Sequence, residues 1–338
     1  MVKLSNNQID RAGKVLKSNA DANSIEYSEA LSVVNEWRSL HSKPLNAFQT
    51  NLRGKAKNID VSFVLSQRLK KLKSIKDKLQ RYNNMKLSSM QDIGGCRIIL
   101  SNLEFVHRLK EEFASSYIKH KLRRFDNYIE SPKSSGYRGL HLSFEYFSDK
   151  NELLNGLNIE VQIRTRFQHL WATAVETASL VSETTLKAGE GEREWLDFFK
   201  LISSYFALQE KTEIVPGTPD TREGLISEIA KINKNLDLLT RFEVLNSFTK
   251  YSDDENVYTD DYYLLYINKE ERKYRKKGFK KSEYERAYNE YITGENKENG
   301  VDNIVLVSTN SVESLKNAYP NYFADMNEFI TVLRNMLE

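Results

Sequence analysis

Cysteine is almost absent from this chain. Cys96 is the only one in 338 residues, so no internal disulfide can form. Histidine is sparse and one-sided: His41, His107, His120, His141 and His169 are all there is, and none lies beyond residue 169. The C-terminal half therefore cannot build a zinc site of the usual Cys/His kind. No histidine is followed by aspartate, which removes one common metal-hydrolase signature. No apolar run approaches the ~18–20 residues that span a bilayer. The first residues lack the apolar stretch of a secretory signal. Together with the single cysteine, these absences lead us to expect a cytoplasmic protein with no membrane partner. Neither sign of charge dominates: 50 basic residues stand against 47 acidic ones, for a net charge of +3. That balance does not demand nucleic acid, and only local clustering of charge can make such a case.

What is present suits about two domains. Hydrophobic residues make up 40% and charged residues 29%, enough for real cores under a solvated surface. After a polar, weakly patterned start, Ile25, Leu31, Val34, Trp37 and Leu40 recur at helical spacing, closed by Pro44. A second helix is expected over 48–56 and a third over 61–82, whose polar positions are mostly Lys or Arg. The period then changes. Cys96 to Leu100 reads as a buried strand entered through Gly94-Gly95, and 105–117 as a helix. A Pro/Gly/Ser-rich loop at 131–139 precedes a strand at 140–147. In 157–165, Ile159, Val161 and Ile163 face one way and Glu160, Gln162 and Arg164 the other. A helix follows over 167–180, and another from Leu225 to Leu245. Beyond it we expect strand 262–267, helix 282–292, strand 303–309 and helix 324–337. The expected fold is α/β (α+β), a mixed β-sheet flanked by helices. The expected domains are 1–255 and a small α/β module at 256–338.

Four segments carry candidate chemistry. Read as part of one helix, Arg68, Lys70, Ser74 and Lys78 come within reach of one polyanion, Arg as a fork and Lys as a point charge. A solvated basic helix face would have the same composition. Asp92, just before Gly94-Gly95 and Arg97, can project from a sheet end towards a metal; an Asx turn entering a strand would look alike. In the loop, Tyr137 between glycines is a candidate base-stacking platform, with Lys133, Arg138 and His141 nearby. An ordinary hairpin connection is the plain alternative. Glu160, Gln162 and Arg164 set an acid, an amide and a base on one strand face, as a solvent-facing strand also does.

Taken in order, these segments resemble the synthetase domain of the RelA/SpoT family over about residues 25–210. The resemblance implies a nucleotidyltransferase-like fold and transfer of pyrophosphate from ATP, with Mg²⁺ held by Asp92 and Glu160. It assigns ATP phosphates to Arg68, Lys70, Ser74, Lys78 and Arg97. It assigns the acceptor to Lys133, Tyr137, Arg138, His141, Gln162 and Arg164. Gly139 departs from the usual Ser of the acceptor loop, which weakens a GTP or GDP acceptor. The stretch from Glu36-Trp37-Arg38 to Phe48-Gln49 looks like the toxic small alarmone synthetases, which act on the 3′ end of tRNA. The C-terminal part resembles the antitoxin of CapRel-type fused toxin–antitoxin proteins, a zinc-finger-like module without zinc ligands. Tyr319-Pro320-Asn321-Tyr322 fits its neutralising Tyr-x-x-Tyr motif. That resemblance implies autoinhibition through Tyr319 and Tyr322, no zinc, and release by a phage structural protein. The basic run 273–281 and the acidic stretch 253–261 are left as a solvated or tRNA-contacting loop and a linker.

Overall fold

The computed structural model describes residues 4–18, 23–115, 119–182, 193–236, 238–239, 242, 260–268, 273–295, 303–308 and 327–338. At its centre is a mixed sheet flanked by helices, as the periodicity predicts. Its strands are β1 (Val64–Leu69), β2 (Gly94–Leu100), β3 (Lys121–Asn127), β4 (Leu140–Glu145), β5 (Asn158–Thr165), β6 (Tyr262–Asn268), β7 (Lys273–Phe279) and β8 (Asn303–Ser308). Their order across the sheet is β3-β4-β5-β2-β1-β8-β6-β7. β2 and β5 run parallel; the other pairs are antiparallel.

One face of the sheet is apolar. Leu65, Leu69, Cys96, Ile98, Leu142, Val161 and Ile163 bury there against α3 (Ser42–Ala56) and α5 (Leu103–Ser115) through Phe48, Leu52, Val106 and Phe113. A second core joins α6 (Arg166–Ser182), α7 (Arg193–Glu210) and α8 (Arg222–Leu236). A third joins α1 (Asn6–Lys17), α2 (Ile25–Leu40) and α4 (Leu72–Arg81) through Leu16, Val34, Ile75 and Leu79. α1 opens with a reciprocal Ser5/Gln8 capping box that satisfies two otherwise orphaned backbone donors. No helix among the described residues is long and apolar enough to cross a membrane.

The helix expected over 61–82 is corrected: its first part is β1 and only Leu72–Arg81 is helical. Leu65 and Leu69 satisfy both a helical spacing and strict alternation, so the sequence pattern is ambiguous there. β2 decides it, because its backbone needs an antiparallel partner and finds one in Val64–Leu69. Pro44 does not close a helix; it sits in the first turn of α3, where its missing N–H costs nothing. The basic run from Lys273 is also no loop but β7, at one edge of the sheet. β3, at the other edge, is similarly rich in charge. Charged edges repel further strands, and for that reason such strands look like loops in a sequence.

The expected boundary at 255/256 falls outside the described residues, and the strands beyond it join the same sheet. β8 pairs with β1, Ser308 opposite Gln67 and Val307 opposite Arg68. Tyr262, Leu264, Phe279 and Tyr288 lie in the core shared with α3. α9 (Tyr284–Glu295) donates from Tyr288 to the Asn35 carbonyl at 2.9 Å. α10 (Asn327–Leu337) sets Phe329 against Phe198 and Phe242 and pairs Glu328 with Arg166 of α6 at 2.7 Å. Tyr319 and Tyr322 lie outside the described residues.

His41, between α2 and α3, is fully buried. Its Nδ1 donates to the Trp37 carbonyl at 2.9 Å, while Nε2 has no partner among the described residues. Burial pushes its pKa down to about 4, the Trp37 carbonyl opposing and Arg38 assisting. The folded imidazole is therefore neutral, whereas the unfolded one takes up a proton below about 6.5. Stability from this site is complete above pH 6.5 and falls as pH drops from 6.5 towards 4, by roughly 3 kcal/mol. In urea titrations, His41→Gln should flatten that part of the pH–stability curve relative to the unaltered protein.

Candidate active site

The register of the sheet assembles the site. Arg68, Gly95 and Glu160 form one cross-strand row, and Arg97, Gln162 and His141 form the next. Residues two apart share a face, so the face opposite the apolar core carries these polar side chains together. Arg68, Gly95, Arg97, Glu160 and Gln162 line a cleft with Lys70, Asp92 and Cys96, and His141 stands behind Glu160. The thiol of Cys96 is buried, which pushes its pKa up and leaves no reactive thiolate.

Asp92 sits two residues before β2. Lys70 reaches its Oδ2 at 2.7 Å and Lys78, from α4, its Oδ1 at 3.0 Å. Burial alone would raise the carboxyl, but the two ammonium groups outweigh it and hold Asp92 at about 2. On β5, the Glu160 carboxylate meets His141 Nδ1 at 3.1 Å and accepts from Gln162 Nε2 at 2.7 Å. Burial works against its charge, and the His141 contact overcomes that to lower its pKa; Asp92 pushes the other way. The two carboxylates therefore share one field across the cleft.

A second network runs into the loop. Tyr137 Oη lies 2.5 Å from His141 Nε2 and accepts from an Arg164 terminal nitrogen at 2.7 Å. Burial disfavours a charged imidazole, yet Tyr137 and Glu160 on its two nitrogens raise His141 to about 9. The Tyr137 hydroxyl is pulled down: burial opposes its ionisation, but Arg164 and His141 outweigh it. The Arg164 guanidinium and the Lys133 ammonium both lie 5.0 Å from the Tyr137 ring centre. Arg164 is buried, and its Nε and NH1 have no partner among the described residues, which leaves donors for an anion.

Two expected site residues are placed elsewhere. Ser74 is half-buried on α4 and does not line the cleft. Arg138 is a correction: it is buried behind the loop, donating to Ser203 Oγ at 2.9 Å and the Ile129 carbonyl at 3.2 Å. Flanking residues of an extended loop point to opposite sides, so Tyr137 and Arg138 cannot both face the ligand. Gly139, the departure from the expected serine, has a local reason. At φ +143° its added Cβ would come 3.2 Å from Arg164 Cγ and 3.4 Å from the Ile163 carbonyl. Ser203, on a helix we did not expect, and the contact of His141 with Glu160 were not foreseen. α7 did carry a signal that could have found it, since Trp195, Phe198, Phe199, Ile202, Tyr205 and Phe206 recur every three or four residues between Asp197, Lys200 and Glu210.

Among the described residues no group of three or more His, Cys, Asp or Glu is arranged for a metal. Mg²⁺, however, commonly uses one or two carboxylates and takes its remaining ligands from water and substrate phosphates. Asp92 and Glu160 facing one cleft, beside cations suited to phosphate, fit that mode.

Residues 67–181 match the family model described as a region found in RelA / SpoT proteins. The matched stretch, about a third of the chain, is thus similar to part of the RelA/SpoT proteins. It contains every cleft residue named above, while α7, α8 and the C-terminal strands lie outside it. The GTP pyrophosphokinase YwaC of Bacillus subtilis (strain 168) is 33% identical over 116 residues, which are 31% of this chain and 52% of that protein. The probable GTP diphosphokinase RSH2, chloroplastic, of Oryza sativa subsp. japonica is 34% identical over 116 residues, 32% of this chain and 14% of that protein. The chain spans at most about half the length of the curated relatives it matches. Among solved structures, small alarmone synthetase 1 from Bacillus subtilis bound to its product pppGpp aligns with a TM-score of 0.44 at 20% identity. That alignment covers 51% of this chain and 90% of the other.

The two glycines entering β2 should respond differently to a methyl group. A Cβ on Gly94 would meet Ile159 Cδ1 at 2.9 Å and His41 Cβ at 3.4 Å, whereas on Gly95 the nearest atom is the Glu160 carbonyl at 3.9 Å. Gly94→Ala should lose roughly 1–3 kcal/mol by overpacking. Gly95→Ala should keep full stability but weaken binding of an ATP analogue in the cleft. Denaturant titration and calorimetry on the two variants separate the cases.

Proposed function

We propose that this chain is an ATP-dependent pyrophosphokinase, a diphosphotransferase. The observation that carries this reading is the convergence of Asp92 and Glu160 with Arg68, Lys70, Lys78 and Arg97 in one cleft of the stretch similar to RelA/SpoT proteins. Four cations around two carboxylates leave an excess of positive charge suited to a polyphosphate. The acceptor's 3′-oxygen forms a bond to the β-phosphorus of ATP, the α–β bridging bond breaks, and AMP leaves. The hydroxyl proton passes to a base, for which Glu160 is positioned. Mg²⁺, held by Asp92 and Glu160, would neutralise phosphate charge when bound. The protein itself supplies position and field. Arg68, Lys70, Lys78 and Arg97 hold the donor phosphates. The acceptor's base stacks on Tyr137 once the exposed Lys133 swings aside, and Arg164 offers its two open donors to the acceptor.

For the acceptor we propose the 3′ end of tRNA, on the strength of Gly139 and the Glu36–Gln49 stretch. A second reading, synthesis of (p)ppGpp from GTP or GDP, draws support from the likeness to the GTP pyrophosphokinase YwaC and the probable GTP diphosphokinase RSH2. A third, non-catalytic nucleotide sensing, would leave both carboxylates without a task. We also propose that the C-terminal residues restrain the enzyme, with Tyr319 and Tyr322 at the contact, and that a phage structural protein releases it in an antiviral response. Pairing of β8 beside Arg68 supports a link between that end of the chain and the donor side of the cleft.

Incubation with ATP labelled at the γ-phosphate, with tRNA or GDP, decides among the readings. Label in tRNA is the expected result, label in GDP alone selects the alarmone reading, and no AMP from either selects the sensor. Asp92→Ala and Glu160→Ala should each lower transfer by at least ~10²-fold while the protein stays folded. Wild-type rates in either would remove that residue from the mechanism. For restraint, Tyr319→Ala or Tyr322→Ala should make the full chain toxic to its host without a phage, and Asp92→Ala should silence that toxicity. Harmless single and double tyrosine variants would refute the tyrosine contact.

A further inference from the structure

The loop that carries Tyr137 is held from outside the matched region. Ser203 of α7 is buried, and its Oγ donates to the Gly136 carbonyl at 2.6 Å while accepting from Arg138 Nε at 2.9 Å. A hydroxyl has one donor and two acceptor sites, so both bonds form at once. Residues 136 and 138 flank Tyr137, and one side chain therefore grips the loop on both sides of the tyrosine. The fit is close. Gly136 has φ +91°, and a Cβ there would lie 2.9 Å from Ser203 Cβ and 3.2 Å from both the Phe199 carbonyl and the Trp171 ring. Trp171 is itself tied to α7, donating from Nε1 to the Phe199 carbonyl at 2.7 Å, and meets Tyr137 edge-on. Arg138 closes the loop at its base through the Ile129 carbonyl.

We propose that Ser203 is a positioning residue for the acceptor. By fixing the backbone on both sides of Tyr137 it sets that ring and its contacts with His141 and Arg164. It does so without touching the donor side, where Lys70 and Lys78 bind Asp92 on the far side of the sheet's polar face. What the loop binds rests on the pyrophosphokinase reading; the clasp itself rests on geometry alone.

Ser203→Ala in the full chain tests this with readouts that need no turnover. Amide hydrogen exchange over 133–139 should rise about tenfold or more, with the sheet unchanged. Binding of the acceptor, probed with GDP and with a short RNA ending in adenosine, should weaken about tenfold for whichever probe the unaltered protein binds, as expected for two lost hydrogen bonds around a buried guanidinium. Affinity for a non-hydrolysable ATP analogue should stay within about twofold. A merely structural role would weaken donor and acceptor alike. Unchanged exchange in the loop, equal weakening of both ligands, or an unaltered protein that binds neither acceptor probe would overturn the proposal. Absence of pyrophosphate transfer by a protein that does bind these probes would instead count against the proposed activity and leave the clasp standing.

Discussion

The parallel pairing of β2 with β5 sets Gly95 opposite Glu160 and Arg97 opposite Gln162, and everything else in the site is arranged around it. Side chains alternate along each strand, so a slip of one residue would send Glu160 and Gln162 into the core and Val161 and Ile163 into the cleft. The apolar face blocks such a slip, because Ile159, Val161 and Ile163 are completely buried. Gly95 then leaves a gap in the middle of the polar face, and that gap is the floor of the cleft. β1 and β4 inherit the register by antiparallel pairing and add Arg68 on one side and His141 on the other.

The charges so assembled are held at some cost to the fold. Lys70 is deeply placed, and burial lowers its pKa against the pull of Asp92. Asp92 is stabilised by two ammonium groups, and Glu160 by an imidazole that is itself held between two partners. Both carboxylates are thus paired within the site, which limits the desolvation penalty of their buried charge. These pairings also orient the side chains before a ligand arrives, the arrangement that lets a site act by position and field.

The fold is less divided than its length suggests. β8 lies against β1, and α9 and α10 share cores with α3 and α7. A segment more than two hundred residues downstream is thus part of the sheet that carries Arg68. α7, also beyond the matched region, supports the loop that carries Tyr137. Both sides of the cleft therefore depend on chain outside the matched region.

Several things were determined by the sequence alone. Alternation in 157–165 placed Glu160, Gln162 and Arg164 on one face, and the glycine pair before Cys96 marked the start of a buried strand. Helical spacing revealed α2 and α8, and the linked segments led to a RelA/SpoT resemblance. These are local patterns whose physical cause, periodic burial, is written in adjacent residues. Other features were decided only by tertiary structure. Val64–Leu69 is a strand because β2 needs a partner, and the residues themselves satisfy both periods. Arg138 turned inward because α7 offered a hydroxyl, and His141 met Glu160 because antiparallel pairing set their strands side by side. Each of those outcomes depends on a group distant in the chain, and no local spacing encodes which distant group will arrive.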